Sequence, residues 1–265
     1  MEELTRRTAM MAIGGAAGLA SLATGAPVTA ATRKGGAALT PTTVDGPYYF
    51  DEKLVRQNIT EGKLGIPLDV GLRIVDVSGR PVPQARVDVW HADAQGNYSE
   101  YTVTGDHIET PPDGAHFLRG TQITDQDGSV QFFTIYPGWY QPRTPHIHFK
   151  IFIGTRCILT AQMYFPDALS EYIYQNIPTY QRRELRDTLN VTDPHKAKVG
   201  DSTVGSISEA GGGYRATLEL TVDRSADVPL RMPPEGHKPP YPPTLPILYG
   251  EARAKAVVPP VRVRA

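Results

Sequence analysis

Two histidines separated by one residue are the first feature of this sequence that could do chemistry. His146 and His148 alternate with the apolar Ile147 and Phe149. In a β-strand, residues i and i+2 share a face and their Cα atoms lie roughly 6.5–7 Å apart, so both imidazoles could bind one metal ion from the same side. Taken alone, the pair favours a plainer interpretation, two polar residues on an exposed strand face, because His-x-His is only moderately specific.

Tyrosines near the histidine pair change that balance. Tyr140 follows a Pro137-Gly138 turn and leads into the same segment, and Tyr98 follows a Gly-Asn turn. A free tyrosine has a pKa of about 10, so it binds a metal as phenolate only when a hard, highly charged ion lowers that value. Fe(III) is the natural candidate, since zinc and copper prefer His, Cys or carboxylate ligands. Otherwise Tyr140 is an ordinary turn aromatic and Tyr98 caps the surface.

Short alternating segments predict the elements that must position these side chains. They occur at residues 68–74, 87–89, 130–135, 147–153 and 218–222. Turn residues separate them, and Asp125-Gln126-Asp127-Gly128 favours a hairpin turn because it lacks the spacing and final Glu of a calcium loop. The pattern predicts a mostly β chain, a β-sandwich with one or two short helices and long loops. The best helical segment is 170–190, with Arg182, Arg183 and Arg186 on its outer part.

Composition limits the class of protein. The 265 residues contain 27 Lys plus Arg and 28 Asp plus Glu, a net charge of −1. Such a chain is a poor ligand for nucleic acids and for anionic membranes. The 25 glycines and 24 prolines suit turns between short strands and argue against a helical bundle. Cys157 is the single cysteine, so no internal disulfide forms, and its apolar neighbours predict a buried, inert thiol.

The two ends of the chain differ in composition from its centre. Residues 1–30 carry Arg6-Arg7, a weakly apolar stretch and small residues, which resembles a Tat export signal. A Sec signal or an uncleaved anchor is the alternative. We therefore expect a secreted or cell-envelope protein with no stable membrane insertion after cleavage. Residues 31–43 predict a flexible leader, and residues 233–265 a Pro-rich extended tail.

Six segments, in chain order, resemble the intradiol ring-cleavage dioxygenases, the protocatechuate 3,4-dioxygenase and catechol 1,2-dioxygenase group. They are residues 45–49, 89–98, 119–128, 134–140, 143–149 and 162–165. The resemblance extends over about residues 40–225 and its combined spacing is highly specific. It implies a catalytic domain at 44–232 with the family's β-sandwich. The early segments are closer to protocatechuate-type subunits, and the leader and residues 186–190 resemble secreted single-chain members.

The resemblance also implies a site and an activity. Four residues would bind one Fe(III) ion: Tyr98, Tyr140, His146 and His148. Arg143 and Gln162 match positions beside the substrate, and Tyr140 matches the axial ligand that accepts a substrate proton. Together with O₂, such a centre cleaves a catechol between its two hydroxyl-bearing carbons and yields a cis,cis-muconate-type diacid.

The resemblance does not determine which residues form the substrate pocket. Pro47 and Tyr48 could wall the pocket, and a structural role at a strand start suits them equally well. The gap between Tyr140 and Arg143 is shorter than in protocatechuate enzymes, where it helps to form the pocket wall. The sequence therefore does not select one catechol. It also leaves open whether chains associate as a homo-oligomer.

Two other classes of protein compete with this interpretation. One is a non-catalytic β-sandwich binding module, such as a transthyretin-like carrier, which would hold no iron. The other is a different metalloenzyme that uses His146 and His148, such as a zinc hydrolase or an Fe(II) oxygenase. The second needs a carboxylate or a third histidine nearby, and His91 and Asp93 are the available residues.

Overall fold

Two four-stranded β-sheets frame the chain in the computed structural model, which describes residues 37–51, 53–100, 114–229 and 246–258. The strands are β1 (Pro67–Asp76), β2 (Arg86–His91), β3 (Arg119–Ile123), β4 (Ser129–Ile135), β5 (His146–Ile153), β6 (Arg156–Tyr164), β7 (Ser206–Ala210) and β8 (Gly213–Val222). One sheet has the order β4-β1-β8-β7 and the other β3-β2-β5-β6. Strands β1 and β8 pair in parallel and the other neighbours are antiparallel.

The alternation in the sequence decides which side of each strand is buried between the sheets. Leu68 and Val70 of β1 meet Ile147 and Phe149 of β5 in one apolar core. Because successive side chains point to opposite faces, His146 and His148 lie on the other face of β5. The predicted mostly β sandwich is confirmed. Strand β5 has core residues on one face and the two histidines on the other.

The segment before β1 covers that outer face. Lys150 Nζ on β5 pairs with Asp45 Oδ2 at 2.9 Å, and Tyr49 donates to Asp88 Oδ2 on β2 at 2.8 Å. We call residues 43–51 the covering segment. Its polar side chains reach polar groups on the strands, and its tyrosines pack in an apolar cluster with Trp90 and Phe152, so this buried face mixes polar and apolar residues.

The described part of the predicted leader is attached to the domain. Thr40 N donates to Thr221 O at 2.9 Å, and Thr43 N donates to Thr160 O at 2.8 Å. The expectation of a flexible leader is therefore wrong for residues 37–43. Its amides find partners on β8 and β6, which satisfies backbone groups that would otherwise need water. Residues 1–36, including the predicted export signal, lie outside the described residues.

The predicted helix at 170–190 is wrong over most of its length. Helix α1 spans Asp167–Asn176, and a 3₁₀ turn follows at Pro178–Tyr180. Ile177 is extended, with φ −100° and ψ 116°, because the ring of a following proline disfavours helical backbone. Arg186 was expected on the outer part of a helix. It is instead buried, and its guanidinium pairs with Asp167 at 2.7 Å.

Two further helices follow. Helix α2 (Lys196–Val199) precedes β7, and helix α3 (Gly250–Val257) lies within the predicted extended tail. The expectation of an extended tail is wrong for α3, since residues 251–256 are good helix formers without proline. Arg253 of α3 donates to Glu171 Oε1 of α1 at 2.7 Å. Residues 230–245 and 259–265 lie outside the described residues. Within the described ranges, no helix is long and apolar enough to cross a membrane.

The turn at 125–128 forms, but it is not a hairpin. Gly128 N donates to Asp125 O at 3.1 Å, and Gly128 has φ 73°, a conformation that suits glycine. The flanking β3 and β4 lie in different sheets. The turn therefore passes the chain from one sheet to the other, because β4 pairs with β1 and not with β3. Cys157 is buried, as predicted.

Candidate metal centre

The histidine pair meets on the outer face of β5. His146 Nε2 and His148 Nε2 lie 2.9 Å apart, and the Tyr140 hydroxyl lies 3.3 Å from His146 Nε2. All three side chains are buried. The structure therefore brings together three of the four residues that the sequence singled out as donors, and it does so away from bulk water.

Tyr98 completes the group through ring contacts. Its ring lies edge-on to Tyr140, with centroids 5.6 Å apart, and edge-on to His148 at 6.3 Å. The Tyr98 side chain is only 1% exposed. The alternative that Tyr98 caps the surface is thus wrong, because this ring packs inside the cluster that contains Tyr140.

Two loops bring the tyrosines to the strand, and a carboxylate shapes one of them. Asp93 Oδ1 accepts hydrogen bonds from the backbone N–H groups of Gln95 and Asn97, each at 3.0 Å. Gly138 N donates to Asp93 O at 2.9 Å, which joins this loop to the one that carries Tyr140. These bonds satisfy backbone groups within buried loops and so hold Tyr98 and Tyr140 in place.

The two imidazoles are oriented by different means. His146 Nδ1 lies 2.7 Å from the Thr144 carbonyl, which can only accept, so Nδ1 carries the proton and Nε2 presents a lone pair. The His148 ring stacks on Trp90, with centroids 4.8 Å apart and planes 10° apart. Its Nδ1 is buried and has no hydrogen-bond partner among the described residues. Stacking therefore orients His148, and a hydrogen bond orients His146.

Burial keeps all four side chains uncharged in the absence of a cation. It lowers the pKa values of His146 and His148 well below the ordinary value. It also raises the pKa values of Tyr98 and Tyr140, although Arg143 partly opposes the rise at Tyr140. Neutral imidazole is the form that binds metals, and a nearby cation is what would turn these phenols into phenolates.

The donor set fits Fe(III). Two imidazole nitrogens and two phenol oxygens combine borderline and hard donors, and the phenols lose their protons only beside a highly charged ion. The lone pair of His146 Nε2 faces the atoms of His148 and Tyr140 that could share a cation with it. The geometry is that of donors converging on one point.

Arg143 lies beside this group and is held by a buried carboxylate. Its Nε donates to Asp193 Oδ2 at 2.8 Å, and its Nη1 lies 3.4 Å from His146 Nε2. Asp193 Oδ2 also accepts from Thr144 N at 3.0 Å. Burial raises and Arg143 lowers the pKa of Asp193, with a net decrease, so the carboxylate stays ionised. The guanidinium charge is thus fixed at the edge of the centre.

Gln162 connects Arg143 with the covering segment. Its Oε1 accepts from Arg143 Nη2 at 2.6 Å and from the Tyr164 hydroxyl at 2.7 Å. Its Nε2 donates to Val44 O at 3.0 Å. On β6, Gln162 is the register partner of His148 on β5. Both its amide oxygen and its amide nitrogen are hydrogen-bonded. Gln162 therefore holds Arg143 and the covering segment in fixed positions relative to β6.

Sequence reasoning missed two residues of this network, Tyr164 and Asp193. The signal for Tyr164 was available, since residues 162 and 164 share a strand face. Asp193 had no such signal, because it lies in a loop 50 residues after Arg143. Trp90 lay in a segment that resembled the family, but no role was assigned to it.

The covering segment closes one side of the centre. Tyr48 is buried and stacks on Tyr98 with centroids 4.3 Å apart, and it lies edge-on to Tyr140 at 6.0 Å. Gly46 has φ 72°, and a Cβ there would lie 3.2 Å from His148 Cε1. Pro47, between them, is half-buried. Tyr48 therefore contacts the proposed donors directly, while Pro47 belongs to the same wall.

The residues required by a zinc or Fe(II) site are engaged elsewhere. His91 Nδ1 lies 2.8 Å from the Ala92 carbonyl, and its Nε2 lies 2.7 Å from the Thr134 hydroxyl. Asp93 pairs with Lys63 at 2.6 Å. Across the described ranges, no group of three or more His, Cys, Asp or Glu side chains is placed to hold a metal ion. The described side chains therefore do not form the carboxylate-containing site of that alternative.

Known proteins share this sequence pattern. The profile of a family described as dioxygenase matches residues 44–203. The β chain of protocatechuate 3,4-dioxygenase from Burkholderia cepacia is 36% identical over 160 residues, which cover 54% of this chain and 66% of that protein. Catechol 1,2-dioxygenase from Acinetobacter baylyi is 29% identical over 187 residues, which cover 61% of this chain and 57% of that protein. The alignments thus span less than two thirds of these curated relatives.

A solved structure shares the fold over almost its whole length. The intradiol ring-cleavage dioxygenase from Tetranychus urticae superimposes with a TM-score of 0.66 and 32% sequence identity, covering 73% of this chain and 98% of that one. The family profile matches more than half of the present chain and includes all four candidate donors. This chain therefore belongs to the intradiol ring-cleavage dioxygenase family.

Proposed function

We propose that this chain binds Fe(III) through Tyr98, Tyr140, His146 and His148 and uses O₂ to cleave a catechol between its two hydroxyl-bearing carbons. The product is a cis,cis-muconate-type diacid. The observation that carries the proposal is the buried convergence of two imidazole nitrogens and a phenol oxygen, 2.9 and 3.3 Å apart, with the ring of a second tyrosine against them. Family membership supports the class of reaction.

Bound by these side chains, Fe(III) would supply a Lewis acid that stabilises phenolate and draws electron density from a bound catecholate. Both imidazoles are already neutral and oriented without a cation, so they are ready to bind one. Tyr140 Oη, once deprotonated, is placed to accept a proton from a substrate hydroxyl. The neighbouring Arg143 favours the deprotonated form of Tyr140 that this role requires, because the guanidinium lowers the pKa of Tyr140 against the effect of burial.

Arg143 supplies a permanent positive charge for an anionic substrate. Its guanidinium is held on two sides, by Asp193 at 2.8 Å and by Gln162 at 2.6 Å. A fixed charge costs no reorganisation when negative charge develops on the bound ring, which is how such groups accelerate reactions. Gln162 and Asp193 are positioning residues here, since they act through Arg143.

Aromatic side chains exclude water around the donors. Trp90, Tyr48 and Tyr98 are each no more than 2% exposed. In such surroundings charge interactions are stronger than in water, which strengthens the effect of the Arg143 charge and would strengthen phenolate binding to a metal ion.

Metal analysis and product analysis of the purified protein test this proposal. We expect about one iron per chain and a red-brown charge-transfer band from phenolate bound to Fe(III). With a panel of catechol, protocatechuate and hydroxyquinol, both atoms of isotopically labelled O₂ should enter the ring-opened diacid. Exposed Tyr172 provides the matched control, since Tyr172→Phe should keep colour and products.

Two results would contradict the proposal. Active protein that contains zinc and no iron would refute the metal assignment. A yellow hydroxymuconic semialdehyde as the main product would show cleavage outside the diol, which an Fe(II) centre performs. If no catechol is opened and no colour forms, the transthyretin-like binding module becomes the better explanation.

A further inference from the structure

Arg119 on β3 is a buried arginine that the proposed chemistry does not use. All three of its guanidinium nitrogens donate hydrogen bonds to described atoms. Two of them bind Ser99, Nε to the hydroxyl at 2.7 Å and Nη2 to the backbone carbonyl at 3.0 Å. The third, Nη1, donates to the Tyr48 carbonyl at 2.6 Å. Arg119 is therefore engaged with two segments of the chain, one that carries Tyr98 and one that covers the centre.

The pairing of the strands places Arg119 on the same face as the histidines. Arg119 lies opposite Trp90 of β2, and Trp90 lies opposite His148 of β5. Residues directly opposite each other on neighbouring antiparallel strands point to the same face of a sheet. Arg119, Trp90 and His148 thus form one row across the outer face. Because the sheet sets the place of Arg119, the guanidinium is a fixed reference for the two segments that it contacts.

Both segments that Arg119 holds carry rings of the candidate centre. Ser99 directly follows Tyr98, and the Tyr48 ring stacks on the Tyr98 ring with centroids 4.3 Å apart. One guanidinium therefore fixes the backbone beside both members of this stack. Because the guanidinium is planar and its donors point in fixed directions, the three hydrogen bonds set the spacing of the two segments as well as joining them.

The backbone next to Ser99 and next to Arg119 is in an unfavourable conformation. Glu100, directly after Ser99, has φ 68°, and Leu118, directly before Arg119, has φ 58°. Residues with a Cβ rarely adopt the left-handed region, and they remain there where surrounding contacts hold them. Local preference would thus favour a different path for the chain at both places. The hydrogen bonds between Arg119 and Ser99 oppose that relaxation.

We propose that Arg119 is a positioning residue of the metal centre, because through Ser99 it fixes the place of the Tyr98 phenol. Its third hydrogen bond keeps the Tyr48 ring packed against that phenol. The inference rests on the proposed function, since the position of Tyr98 matters for a metal ion only if Tyr98 binds one. A guanidinium has no lone pair to offer a metal, so Arg119 acts through Tyr98 and is not a donor itself.

Resonance Raman spectra of the iron-loaded protein test the inference, because light absorbed by the charge-transfer band enhances the vibrations of iron-bound phenolates. The components that disappear in Tyr98→Phe and in Tyr140→Phe identify the two tyrosines. We expect Arg119→Met to shift or broaden the Tyr98 component and to leave the Tyr140 component unchanged. In competition with a chelator, Arg119→Met should hold iron about tenfold more weakly than wild type, the lower end of the effect of losing an outer contact of a metal ligand.

Further variants separate position from charge and from folding. Arg119→Lys keeps the charge but not the fork of donors, so it should also shift the Tyr98 component. Ser99→Ala removes only the hydroxyl that accepts from Nε and should give a smaller shift in the same direction, a result that stands even if Arg119→Met does not fold. Arg253→Met is the matched control, since Arg253 is also buried and also donates to two backbone carbonyls. It should leave both components unchanged.

The outcomes separate this inference from the proposed function. The positioning role is overturned if Ser99→Ala and folded Arg119→Met keep the wild-type spectrum and iron affinity, or if Arg119→Lys does. A shift of both tyrosine components that Arg253→Met reproduces would show a general loss of structure and would overturn it as well.

Wild-type protein without iron or colour refutes the proposed function alone. Hydrogen exchange of the iron-free protein then decides whether Arg119 holds the Tyr98 segment. Arg119→Met should speed exchange at residues 96–100 about tenfold, and Arg253→Met should not. Equal exchange in the two variants overturns the inference.

Discussion

The guanidinium of Arg143 and the carboxylate of Asp193 form a buried ion pair, with Nε and Oδ2 2.8 Å apart. The two residues come from loops 50 positions apart in the chain. The pair lies between the candidate metal centre and the loop of His195, and it connects the two. Removal of either partner would leave a buried charge without its counterpart, which is costly.

Loss of a donor should release the metal. We expect His148→Ala to lose iron and colour, because no described side chain replaces its Nε2 beside His146. Tyr140→Phe should retain part of the iron, shift the charge-transfer band and slow turnover, since the proton acceptor is gone. Metal analysis, visible spectra and steady-state rates measure these effects. A Tyr140→Phe enzyme with wild-type colour and rate would contradict the role given to Tyr140.

The Arg143 charge should matter for turnover. Arg143→Ala should lower turnover at least about tenfold, since a hydrogen bond to a charged group contributes roughly 1.5–3 kcal/mol. Asp193→Asn should reduce it less, because the guanidinium remains but loses one support. Iron content must stay at the wild-type level for the comparison to hold. An Arg143→Ala enzyme that retains full turnover on every catechol in the panel would remove Arg143 from the mechanism.

Asp193 should also make stability depend on pH. Its pKa in the folded protein lies below the ordinary value of 3.8, so its contribution is present above that value and lost as pH falls through the folded pKa. We expect Asp193→Asn to lower the free energy of unfolding near pH 7 by about 3–5 kcal/mol, the cost of breaking a buried pair. The difference from wild type should shrink below about pH 4. Urea unfolding at several pH values measures it, and a difference independent of pH would argue against an ionised Asp193.

Arg186 should be structural. Its guanidinium is buried and contacts Asp167 at 2.7 Å and Glu171 at 3.2 Å, both on α1. Arg186→Met should destabilise the protein by about 3–5 kcal/mol because the buried Asp167 loses its counter-charge. The exposed Arg183 is the matched control, and Arg183→Met should change stability by less than about 0.5 kcal/mol. Equal effects of the two substitutions, measured by urea unfolding, would show that the burial of Arg186 is unimportant.

The predicted export signal lies outside the described ranges. We propose that Arg6-Arg7 directs the chain to Tat export, so replacement of both by lysine should block secretion. Immunoblots of cell and culture fractions, with a Sec-exported protein as control, measure the change. Secretion at the wild-type level would favour a Sec signal.

The sequence by itself determined the features that depend on local geometry. A period of two places His146 and His148 on one strand face and Ile147 with Phe149 on the other, whatever surrounds the strand. The strands and the donor types follow from the same local rules. The expected helix at 170–190 is wrong for a reason that is also local, since Pro178 in the sequence disfavours helical backbone at Ile177 and so ends α1.

Only the tertiary structure decided which distant residues support the donors. The pairing of β5 with β2 and β6 sets Trp90 and Gln162 on either side of His148. Folding of the later loops brings Asp193 to Arg143 and buries Arg186 against α1. No spacing in the sequence encodes these contacts, because they depend on strand order and on the paths of loops. A charged residue is buried when its partner is present, and that partner is known only once the chain is folded.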